Sequence, residues 1–477
     1  MSIGFAVPQR LAALLEETAP LAERFVAAGH RLFLVGGSVR DALTGRHGAA
    51  PDLDFTTDAL PEQIEGVLTG WADVVWDQGR RFGTIGAKRF GRSYEITTHR
   101  AEAYFPDSRK PSVVFATDVE ADLSRRDFTV NAMALKLGSS RSDAELIDPF
   151  AGAVDLAMGR LRTPLDPEVS FGDDPLRMLR AARFIAGFGL KPGDDLVGAI
   201  REMRGRLQIV SPERIRSELD KLLVVDAPAP GLWFLVETGL AEEFLPELPA
   251  LALTQDPIHR HKDVLAHTIA VVAKTSPHKV LRLAALLHDI GKPKTRAIGE
   301  HGVSFHHHDV VGARMARDRM RALHYPNEEI AAVSRLVELH LRFHGYGEEW
   351  TDSAVRRYVR DAGGLLAELN ELTRCDCTTR NRARAAELAR RMDLLEERVA
   401  ALRQAEELDA LRPDLDGVAI MSRLGIGPGP VVGAARTFLL ELRIERGPLG
   451  AEEAGCELDA WWAAQEPESS PRVSGGP

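Results

Sequence analysis

Residues 31–55, RLFLVGGSVRDALTGRHGAAPDLDF, carry the pattern that decides the fold of the first part of the chain. Residues 31–35 form a short apolar run that ends in two glycines, which predicts a buried strand entering a turn. The segment GGSVRD, residues 36–41, then opens a predicted helix. Its glycines would let backbone N–H groups approach a phosphate closely, although such turns are also common where nothing binds.

Two aspartates, Asp52 and Asp54, come shortly after this turn. In a strand, residues i and i+2 share a face, so both carboxylates would point the same way. Because two such anions repel each other unless a divalent cation lies between them, we expect a metal site, and oxygen ligands favour Mg²⁺. Glu95 is a candidate third carboxylate. The alternative is a pair of exposed turn aspartates.

Two later segments are rich in arginine. The first, RRDFTVNA at residues 125–132, places two guanidinium groups beside an acid; the alternative to a binding role is a surface salt bridge at a helix start. The second, DDPLRMLRAAR at residues 173–183, spaces its arginines three apart, which keeps them on roughly one face of a helix. Taken alone, that spacing is also typical of a solvated basic stripe.

The chain changes character near residue 155. Up to about residue 150, short β-rich runs alternate with turn signals, which predicts a small mixed α/β domain; beyond it, helical spacing dominates. We expect a helix over residues 11–29 that is interrupted near Pro20, a helix start at residues 211–213, and a charged helix over residues 380–411.

Composition excludes several classes of protein. Of 477 residues, 44% are apolar and 27% charged, which is ordinary for a globular chain and rules out a collagen-like or wholly disordered one. The net charge of −10 argues at first sight against a nucleic-acid partner. However, residues 175–216 hold nine basic and four acidic side chains, a local charge of +5, so the acidic total only limits where RNA can bind.

The three cysteines cannot form a disulfide framework, and no second pair accompanies Cys375 and Cys377 to make a zinc site. No apolar run reaches the roughly 18 residues that span a bilayer. The N-terminal stretch is acidic and lacks a signal pattern. We therefore expect no membrane partner and a reducing, cytoplasmic location.

Histidines are concentrated late in the chain, with 12 of the 15 between residues 259 and 344. His288 and Asp289 are adjacent at the end of an apolar run, and His267, His340 and Asp376 fall in other predicted helices. A lone histidine on a helix is usually only packed or exposed. Imidazoles combined with carboxylates, however, bind divalent transition metals, so these residues form a candidate metal site.

Four motifs, GGSVRD, DLD, RRDFTVNAMAL and DDPLRMLRAARF, occur in the order found in bacterial class II CCA-adding tRNA nucleotidyltransferases and related poly(A) polymerases. The resemblance covers residues 31–225, the head and neck of that family. It implies that Asp52 and Asp54 are catalytic and hold Mg²⁺, and that Asp174 and Arg177 read the incoming base. The further residues that it implies in nucleotide binding are Gly37, Arg40, Arg126, Arg180 and Arg183.

The base-reading role has a physical reason. Cytosine and adenine both present an amine beside a ring nitrogen, which Asp174 and Arg177 could pair with, whereas uracil and guanine place a carbonyl where the amine would be. Asp173 departs from the family, which usually has glutamate there. Residues 104–111, YFPDSRKP, resemble the loop associated with the switch from adding C to adding A, which argues against an enzyme that stops after two cytidines.

The histidine-rich part resembles the HD superfamily of metal-dependent phosphohydrolases. The resemblance implies a basic ligand set for a divalent transition metal, composed of His267, His288, Asp289 and Asp376. His308 and His340 resemble the extra ligands of two-metal members, and His308 is chosen over His306 and His307 only by its match to H-D-x-x-G. Activity at this site, on 2′,3′-cyclic phosphate or phosphomonoester ends of RNA, is a hypothesis.

We therefore predict an α+β protein: a nucleotidyltransferase head with a small mixed sheet, followed by helical domains. The predicted boundaries are head 1–155, neck and body 156–255, HD domain 256–380, helical tail with tRNA contact 381–465, and a disordered end 466–477. The expected activity is addition or repair of the 3′-terminal CCA of tRNA from CTP and ATP. The alternatives are a poly(A) polymerase on the same scaffold and an RNA-binding HD phosphohydrolase.

Overall fold

The computed structural model describes residues 11–45, 52–105, 108–115, 118–140, 143–253, 263–300, 302–345, 350–377, 382–406 and 411–465. The predicted disordered end, 466–477, lies outside these residues. The chain divides into two compact units. The N-terminal unit consists of Met1–Ala252 and Arg319–Tyr325, and the C-terminal unit of Leu253–Asp318 and Pro326–Pro477.

The N-terminal unit is built on a mixed seven-stranded sheet. Its strands are β1 (Leu32–Val35), β2 (Leu53–Thr57), β3 (Val74–Trp76), β4 (Thr84–Arg89), β5 (Arg92–Thr98), β8 (Ala134–Leu137) and β9 (Glu145–Ile147), in the spatial order β3-β4-β5-β2-β1-β8-β9. Two-stranded pairs are formed by β6 (Arg100–Phe105) with β7 (Ser108–Phe115), and by β10 (Arg160–Leu161) with β11 (Lys191–Pro192). The predicted loop at residues 104–111 spans the end of β6 and the start of β7, and residues 106–107 lie outside the description.

Beyond about residue 155 the N-terminal unit is mainly helical, as the change in sequence pattern predicts. The helices of the N-terminal unit are α1 (Ala12–Ala27), α2 (Gly37–Thr44), α3 (Pro61–Leu68), α4 (Val119–Ser124), α5 (Gly152–Met158), α6 (Pro167–Asp173), α7 (Leu176–Phe188), α8 (Asp194–Met203), α9 (Pro212–Leu223), α10 (Ala229–Glu237) and α11 (Leu240–Phe244). This mixed sheet followed by helices confirms the predicted α+β class.

The C-terminal unit is almost entirely helical. Its elements are α12 (Val264–Lys274), α13 (Lys279–Leu287), α14 (Lys292–Thr295), the hairpin β12 (Arg296–Gly299) and β13 (Gly302–Phe305), α15 (His308–Ala322, with its end in the N-terminal unit), α16 (Asn327–Leu339), α17 (Asp352–Ala362), α18 (Leu366–Asp376), α19 (Arg382–Ala405), α20 (Gly417–Leu424), α21 (Pro430–Arg446) and α22 (Gly450–Ala463). Among the described helices, none is long and apolar enough to cross a membrane.

The predicted break at Pro20 is wrong, because α1 continues through it. Pro20 is exposed and lacks only one backbone donor, whereas Leu15, Leu21 and Phe25 on either side are buried in the core of the sheet. Packing on both sides of the proline therefore outweighs the lost hydrogen bond. The predicted start at residues 211–213 is confirmed by α9, with proline as the first helical residue.

The alternation of side chains along β2 and β5 decides which groups face the core. Leu53 and Phe55 of β2 are buried in the main core, and so are their counterparts in β5. Asp54 therefore projects from the opposite face, since successive strand residues alternate. That face of the sheet carries the chemistry described next.

Candidate active sites

Asp54 and Glu95 are neighbours on the open face of the sheet. They are register partners in the parallel pair β2–β5, and both line a cavity of about 360 Å³. Asp52, just before β2, is exposed and close enough to influence the charge of Asp54. We call this space the N-terminal cavity; its lining includes Asp54, Glu95, Arg125, Arg126, Asp174, Arg177, Arg180 and Arg214.

Negative charge is concentrated at Asp54. Shielding from bulk water raises the pKa of this carboxyl to about 6; Arg126 opposes the shift, whereas Glu95 and Asp52 add to it. Among the residues that the structure describes, these three carboxylates do not bring their oxygens within 4.8 Å of one another. An open set of oxygen ligands with excess negative charge fits Mg²⁺, which is commonly held by one or two carboxylates together with substrate phosphates.

Gly36 makes room for this arrangement. It joins β1 to α2 with a φ of +76°, a left-handed conformation that favours glycine. A Cβ at this position would lie 3.2 Å from Nη1 of Arg126 and 3.7 Å from Oδ2 of Asp54. Glycine is therefore needed both for the turn and for the close approach of Arg126 to Asp54.

Asp122 holds the two arginines of the RRDF segment in place. Its carboxylate is fully buried and accepts hydrogen bonds from Arg125 Nη2 at 2.9 Å and from Arg126 Nη2 at 3.2 Å. Burial alone would raise the pKa of Asp122, but the two guanidinium groups outweigh it and lower the pKa to about 2. Asp122 is therefore ionised at neutral pH and fixes both cations at the cavity wall.

Asp174 and Arg177, the predicted base readers, both line the N-terminal cavity. Arg177 is buried and donates from Nη1 to the Ser170 hydroxyl at 2.9 Å and from Nη2 to the backbone carbonyl of Arg125. Asp174 accepts from Arg214 Nη2 at 2.7 Å. The structure thus brings this pair into the same cavity as Asp54, although the two side chains are held by different partners.

Arg180 and Arg183 are tied to two buried carboxylates. Arg180 donates from Nε to Asp127 at 2.8 Å, and Arg183 donates from Nε to Glu218 at 2.8 Å. Burial alone would raise the pKa of Asp127, but Arg180 and a hydrogen bond from Asn131 lower it to about 2. These pairs fix the arginines of α7, of which Arg180 faces the cavity.

Arg40 is held by side chains of the protein itself. It is buried, donates to Asn131 Oδ1 at 2.6 Å and to Asp41 Oδ1 at 2.8 Å, and stacks 4.1 Å from the ring centre of Phe188. Burial lowers the pKa of Arg40, and Asp41 opposes that shift. Three residues of the predicted nucleotide-binding set do not line the cavity: Gly37, Arg40 and Arg183.

The six predicted ligands of the C-terminal unit meet as two groups of three, here named the histidine–aspartate cluster. The first group is His267, His288 and Asp376, and the second is Asp289, His308 and His340. Within each group the candidate ligand atoms lie within 4.8 Å of one another. The cluster is almost completely buried, with only Asp376 partly exposed.

Asp289 joins the two groups. Its Oδ2 lies 3.6 Å from Nε2 of His267 and 3.2 Å from Nε2 of His288. Its Oδ1 lies 3.4 Å from Nε2 of His308 and 4.0 Å from Nε2 of His340. One carboxylate thus faces both halves of the cluster, the position of a bridging ligand between two cations.

The rings of His288, His308 and His340 are oriented as metal ligands. Each places Nδ1 2.6–2.8 Å from the carbonyl oxygen of the residue three positions earlier. A ring that donates from Nδ1 keeps a lone pair on Nε2, and such backbone contacts commonly orient metal-binding histidines. In the described part of the chain, none of these three buried Nε2 atoms has a hydrogen-bond partner. The cluster therefore fits two divalent cations.

The charges of the cluster also call for a cation. Burial alone would lower the pKa of His288, but Asp289 and Asp376 outweigh it and raise the pKa to about 10. Burial, together with the charge on His288, lowers the pKa of His340 to about 4. The carboxylates thus stabilise positive charge at the centre of the cluster, namely a proton on His288, which a divalent cation bound there would replace.

The structure separates His308 from its two neighbours in sequence. His306 and His307 are exposed, whereas His308 is buried against Asp289. Lys292, which follows in the same HDIGK segment, places Nζ 2.6 Å from Oδ2 of Asp289. The arrangement thus places at Asp289 the histidine that the H-D-x-x-G match selects from the three adjacent ones.

Comparison with known families identifies three domains along the chain. Residues 32–162 match the poly A polymerase head domain, residues 189–251 the probable RNA and SrmB-binding site of polymerase A, and residues 264–402 the HD domain. An A-adding tRNA nucleotidyltransferase of Deinococcus radiodurans is 33% identical over 454 residues, which cover 91% of this chain and 96% of that protein. The chain belongs to the tRNA nucleotidyltransferase family.

A second relative of this tRNA nucleotidyltransferase aligns with about half of the chain. A CCA-adding enzyme of Bacillus subtilis is 38% identical over 225 residues, which cover 47% of this chain and 54% of that enzyme. Among solved structures, the Bacillus stearothermophilus CCA-adding enzyme in complex with CTP has a TM-score of 0.70 at 22% identity and covers 96% of this chain and 99% of that one. A Thermotoga maritima CCA-adding enzyme complexed with tRNA has a TM-score of 0.56 at 18% identity and covers 96% of this chain and 97% of that one. At these identities the likeness shows the fold.

As a member of this family, the nucleotidyltransferase is an enzyme. Its head domain and its HD domain both belong to types that depend on divalent metal ions.

The sequence did not reveal three side chains that hold residues of the N-terminal cavity or of α7 in place: Asp122, Glu218 and Arg214. Asp122 carries the one available signal, because this acid precedes the two arginines of the RRDF segment by three and four residues. Arg214 and Glu218 lie on α9, far along the chain from the residues that they hold.

Proposed function

We propose that this chain adds nucleotides to the 3′ end of tRNA, completing or repairing the terminal CCA from CTP and ATP. One observation carries the proposal: Asp54 and Glu95 share a single cavity with Asp174 and Arg177. Carboxylates suited to phosphoryl transfer therefore stand beside side chains suited to recognising a base. The poly(A) polymerase alternative is not favoured, because the relatives named above are tRNA enzymes.

In the proposed reaction, the 3′-hydroxyl oxygen of tRNA bonds to the α-phosphorus of the nucleotide, the bond to the β-phosphate oxygen breaks, and pyrophosphate leaves. Asp52 and Asp54 would hold Mg²⁺, which when bound supplies activation of the hydroxyl and neutralises charge. Arg126 and Arg180 face the same cavity and would balance the triphosphate. Gly37 and Arg40 are proposed to support the turn beneath the phosphates rather than to line the cavity.

Asp174 and Arg177 are proposed to select the base. The carboxylate would accept a hydrogen bond from the amine of cytosine or adenine, and the guanidinium would donate to the ring nitrogen. Because Nη1 and Nη2 of Arg177 already donate to Ser170 and to the carbonyl of Arg125, the guanidinium is held in one orientation. A uracil or guanine carbonyl would meet the carboxylate as a second acceptor, which is unfavourable.

The direct test offers purified protein a tRNA that lacks CCA, together with each labelled nucleotide in turn. We expect incorporation of C and then A, no use of UTP or GTP, and loss of incorporation in Asp52→Ala. Runs of A without use of CTP would indicate a poly(A) polymerase. Phosphate release without any incorporation would leave only the HD activity.

A second candidate is addition of the final A alone. It is favoured by the named activity of the Deinococcus relative, which aligns along 91% of this chain, whereas the CCA-adding enzyme of Bacillus subtilis aligns along 47%. The two candidates differ in their use of CTP. An enzyme that extends tRNA ending in CC with ATP, but leaves tRNA lacking CCA unchanged in the presence of CTP, would be an A-adding enzyme.

We further propose that the histidine–aspartate cluster holds divalent transition metal and hydrolyses phosphate esters at RNA ends. Asp289 would bridge two cations, with His267, His288 and Asp376 on one side and His308 and His340 on the other. When bound, such metals supply an activated water and polarise the phosphoryl group. The test is the opening of a 2′,3′-cyclic nucleotide, in which water breaks one P–O ester bond and leaves a phosphomonoester; this activity should be lost in Asp289→Asn. We propose the cytoplasm as the compartment, consistent with three free cysteines.

A further inference from the structure

Asp174 is restrained at both of its carboxylate oxygens. Oδ2 accepts a hydrogen bond from Nη2 of Arg214 at 2.7 Å, and Oδ1 accepts one from the backbone N–H of Leu176 at 3.2 Å. Each oxygen has a second lone pair that stays available to a ligand. The side chain that we propose as the acceptor for the base amine is therefore fixed before any nucleotide binds.

Arg214 comes from a helix that organises this wall of the cavity. It lies in the first turn of α9, 40 residues from Asp174 in sequence, and it lines the N-terminal cavity itself. Four residues later, on the same face of α9, the buried Glu218 holds Arg183 at 2.8 Å and lies 3.7 Å from Arg180. This helix thus presents one cation and one anion to the nucleotide-binding residues around α7.

A fixed Asp174 carboxylate matters because the choice between bases depends on an unfavourable contact between this carboxylate and the carbonyl of a wrong base. A guanine or uracil carbonyl is rejected only if an acceptor remains where the carbonyl arrives. A carboxylate attached by two rotatable bonds can turn away and expose the cavity to other donors, and Arg177 is such a donor. A restraint on the carboxylate therefore contributes directly to specificity, as preorganisation of a site generally does.

We propose that Arg214 is a positioning residue that sets nucleotide specificity by holding the Asp174 carboxylate where the base amine must bind. The proposal rests on the base-reading role of Asp174 and Arg177 proposed above. Arginine suits this task because its guanidinium is a rigid, always charged planar fork, of which one arm, Nη2, donates to Oδ2 of Asp174, whereas lysine supplies only a point charge on a flexible chain. The Arg214 side chain is 48% exposed, so its ion pair with Asp174 adds little to stability.

The test measures kcat/KM for ATP against GTP, and for CTP against UTP, in Arg214→Gln and in the wild-type protein. We expect the preference for ATP and CTP to fall about tenfold or more, because the carbonyl of the wrong base is no longer opposed by a fixed acceptor. Turnover with saturating ATP should change less than the preference does. Arg214→Lys, which keeps the charge without the fork, should give an intermediate preference.

Arg216→Gln is the matched control. It removes an arginine from the same helix, and this arginine donates to the backbone carbonyl of His324 rather than to a residue of the cavity. Any general effect on RNA binding cancels in the ratio, so we expect this variant to keep the wild-type preference. Thermal unfolding of each variant shows whether its fold is kept, and the lysine variant serves if the glutamine variant does not fold.

An unchanged preference in folded Arg214→Gln or Arg214→Lys, with a discriminating wild-type enzyme, would overturn the positioning role and leave the proposed function intact. A wild-type enzyme that incorporates all four nucleotides equally would overturn the proposed base reading and this inference together. A preference that falls in Arg214→Gln, is partly kept in Arg214→Lys and is fully kept in Arg216→Gln would support the inference.

Discussion

The N-terminal cavity and the histidine–aspartate cluster arrange their candidate cation ligands in opposite ways. In the cavity, Asp54 and Glu95 are open oxygen ligands on a sheet face, and with Asp52 they do not close into a compact group among the described residues. In the cluster, five buried side chains and the partly exposed Asp376 form two groups of candidate ligands, which Asp289 joins. The candidate ligands of the first site are therefore open, whereas those of the second already lie close together.

This difference follows from the chemistry of the ligands and of the elements that supply them. Strand residues such as Asp54 project singly into open space, so phosphates of the nucleotide must complete the coordination of a hard cation. Helix residues that converge in a core can surround an ion with imidazole nitrogens, which suits a resident transition metal. We therefore expect the two sites to fail independently when either is damaged.

The largest expected effect is that of Asp54→Asn on nucleotide addition. Removal of one of two metal-binding carboxylates should lower incorporation about a thousandfold or more, because charge at the transferred phosphoryl group is no longer balanced. Hydrolysis of a 2′,3′-cyclic nucleotide should stay at the wild-type rate. Incorporation of labelled nucleotide into tRNA and conversion of the cyclic nucleotide to its phosphomonoester measure the two activities on the same preparation.

Asp58→Asn is the control for that variant, since Asp58 pairs with Arg31 just beyond the end of β2 and does not line the cavity. It should keep both activities. Loss of addition in Asp58→Asn as well would contradict a specific role for Asp54, and loss of hydrolysis in Asp54→Asn would contradict the independence of the two sites.

A comparison of His308→Ala with His306→Ala tests whether the histidine–aspartate cluster binds metal. Only His308 faces Asp289, so its removal should lower the metal bound per chain by about one ion and reduce hydrolysis about a hundredfold, with nucleotide addition retained. Elemental analysis of the purified protein measures the metal. Equal metal content in the two variants would show that His308 is not a ligand.

A smaller effect is expected on stability and its pH dependence from Asp127→Asn. The pKa of Asp127 is lowered from 3.8 to about 2 in the folded protein, so ionised Asp127 contributes about 2 kcal/mol above pH 4. A lowered pKa in the folded state means that this contribution is lost as the pH falls from about 4 toward 2. Denaturant unfolding at several pH values should show the difference from wild type shrinking over that window.

Asp73→Asn, at an exposed carboxylate of the same unit, should change the free energy of unfolding by less than about 0.5 kcal/mol at neutral pH. A stability difference for Asp127→Asn that is constant from neutral pH to pH 2 would mean that the pair with Arg180 is not responsible for it.

The sequence predicted those features that depend on local periodicity or on an ordered set of motifs. The open position of Asp54 follows from alternation along one strand, and Glu95 joins it because a parallel neighbour has the same alternation. The HD resemblance similarly identified all six members of the histidine–aspartate cluster. Its division into two groups around Asp289 required coordinates, because two oxygens of one carboxylate are equivalent in a sequence.

Features that depend on distant packing were not predicted. Arg214 meets Asp174 across 40 residues, and nothing in its own segment distinguishes it from the other basic residues of α9. The burial of Arg40 against Phe188 could not be predicted from the sequence either, because a glycine-rich turn followed by arginine is typical of phosphate contact. The continuity of α1 through Pro20 shows the same principle, because tertiary packing overrides a local helix-breaking signal.

The most direct test of the central claim is the sequence of tRNA 3′ ends after incubation of the wild-type enzyme with tRNA lacking CCA and all four nucleotides. We predict ends that terminate in CCA, with no U or G and no extension beyond the final A. Tails of repeated A, or ends containing U or G, would contradict a cavity in which Asp174 and Arg177 select the base beside Asp54.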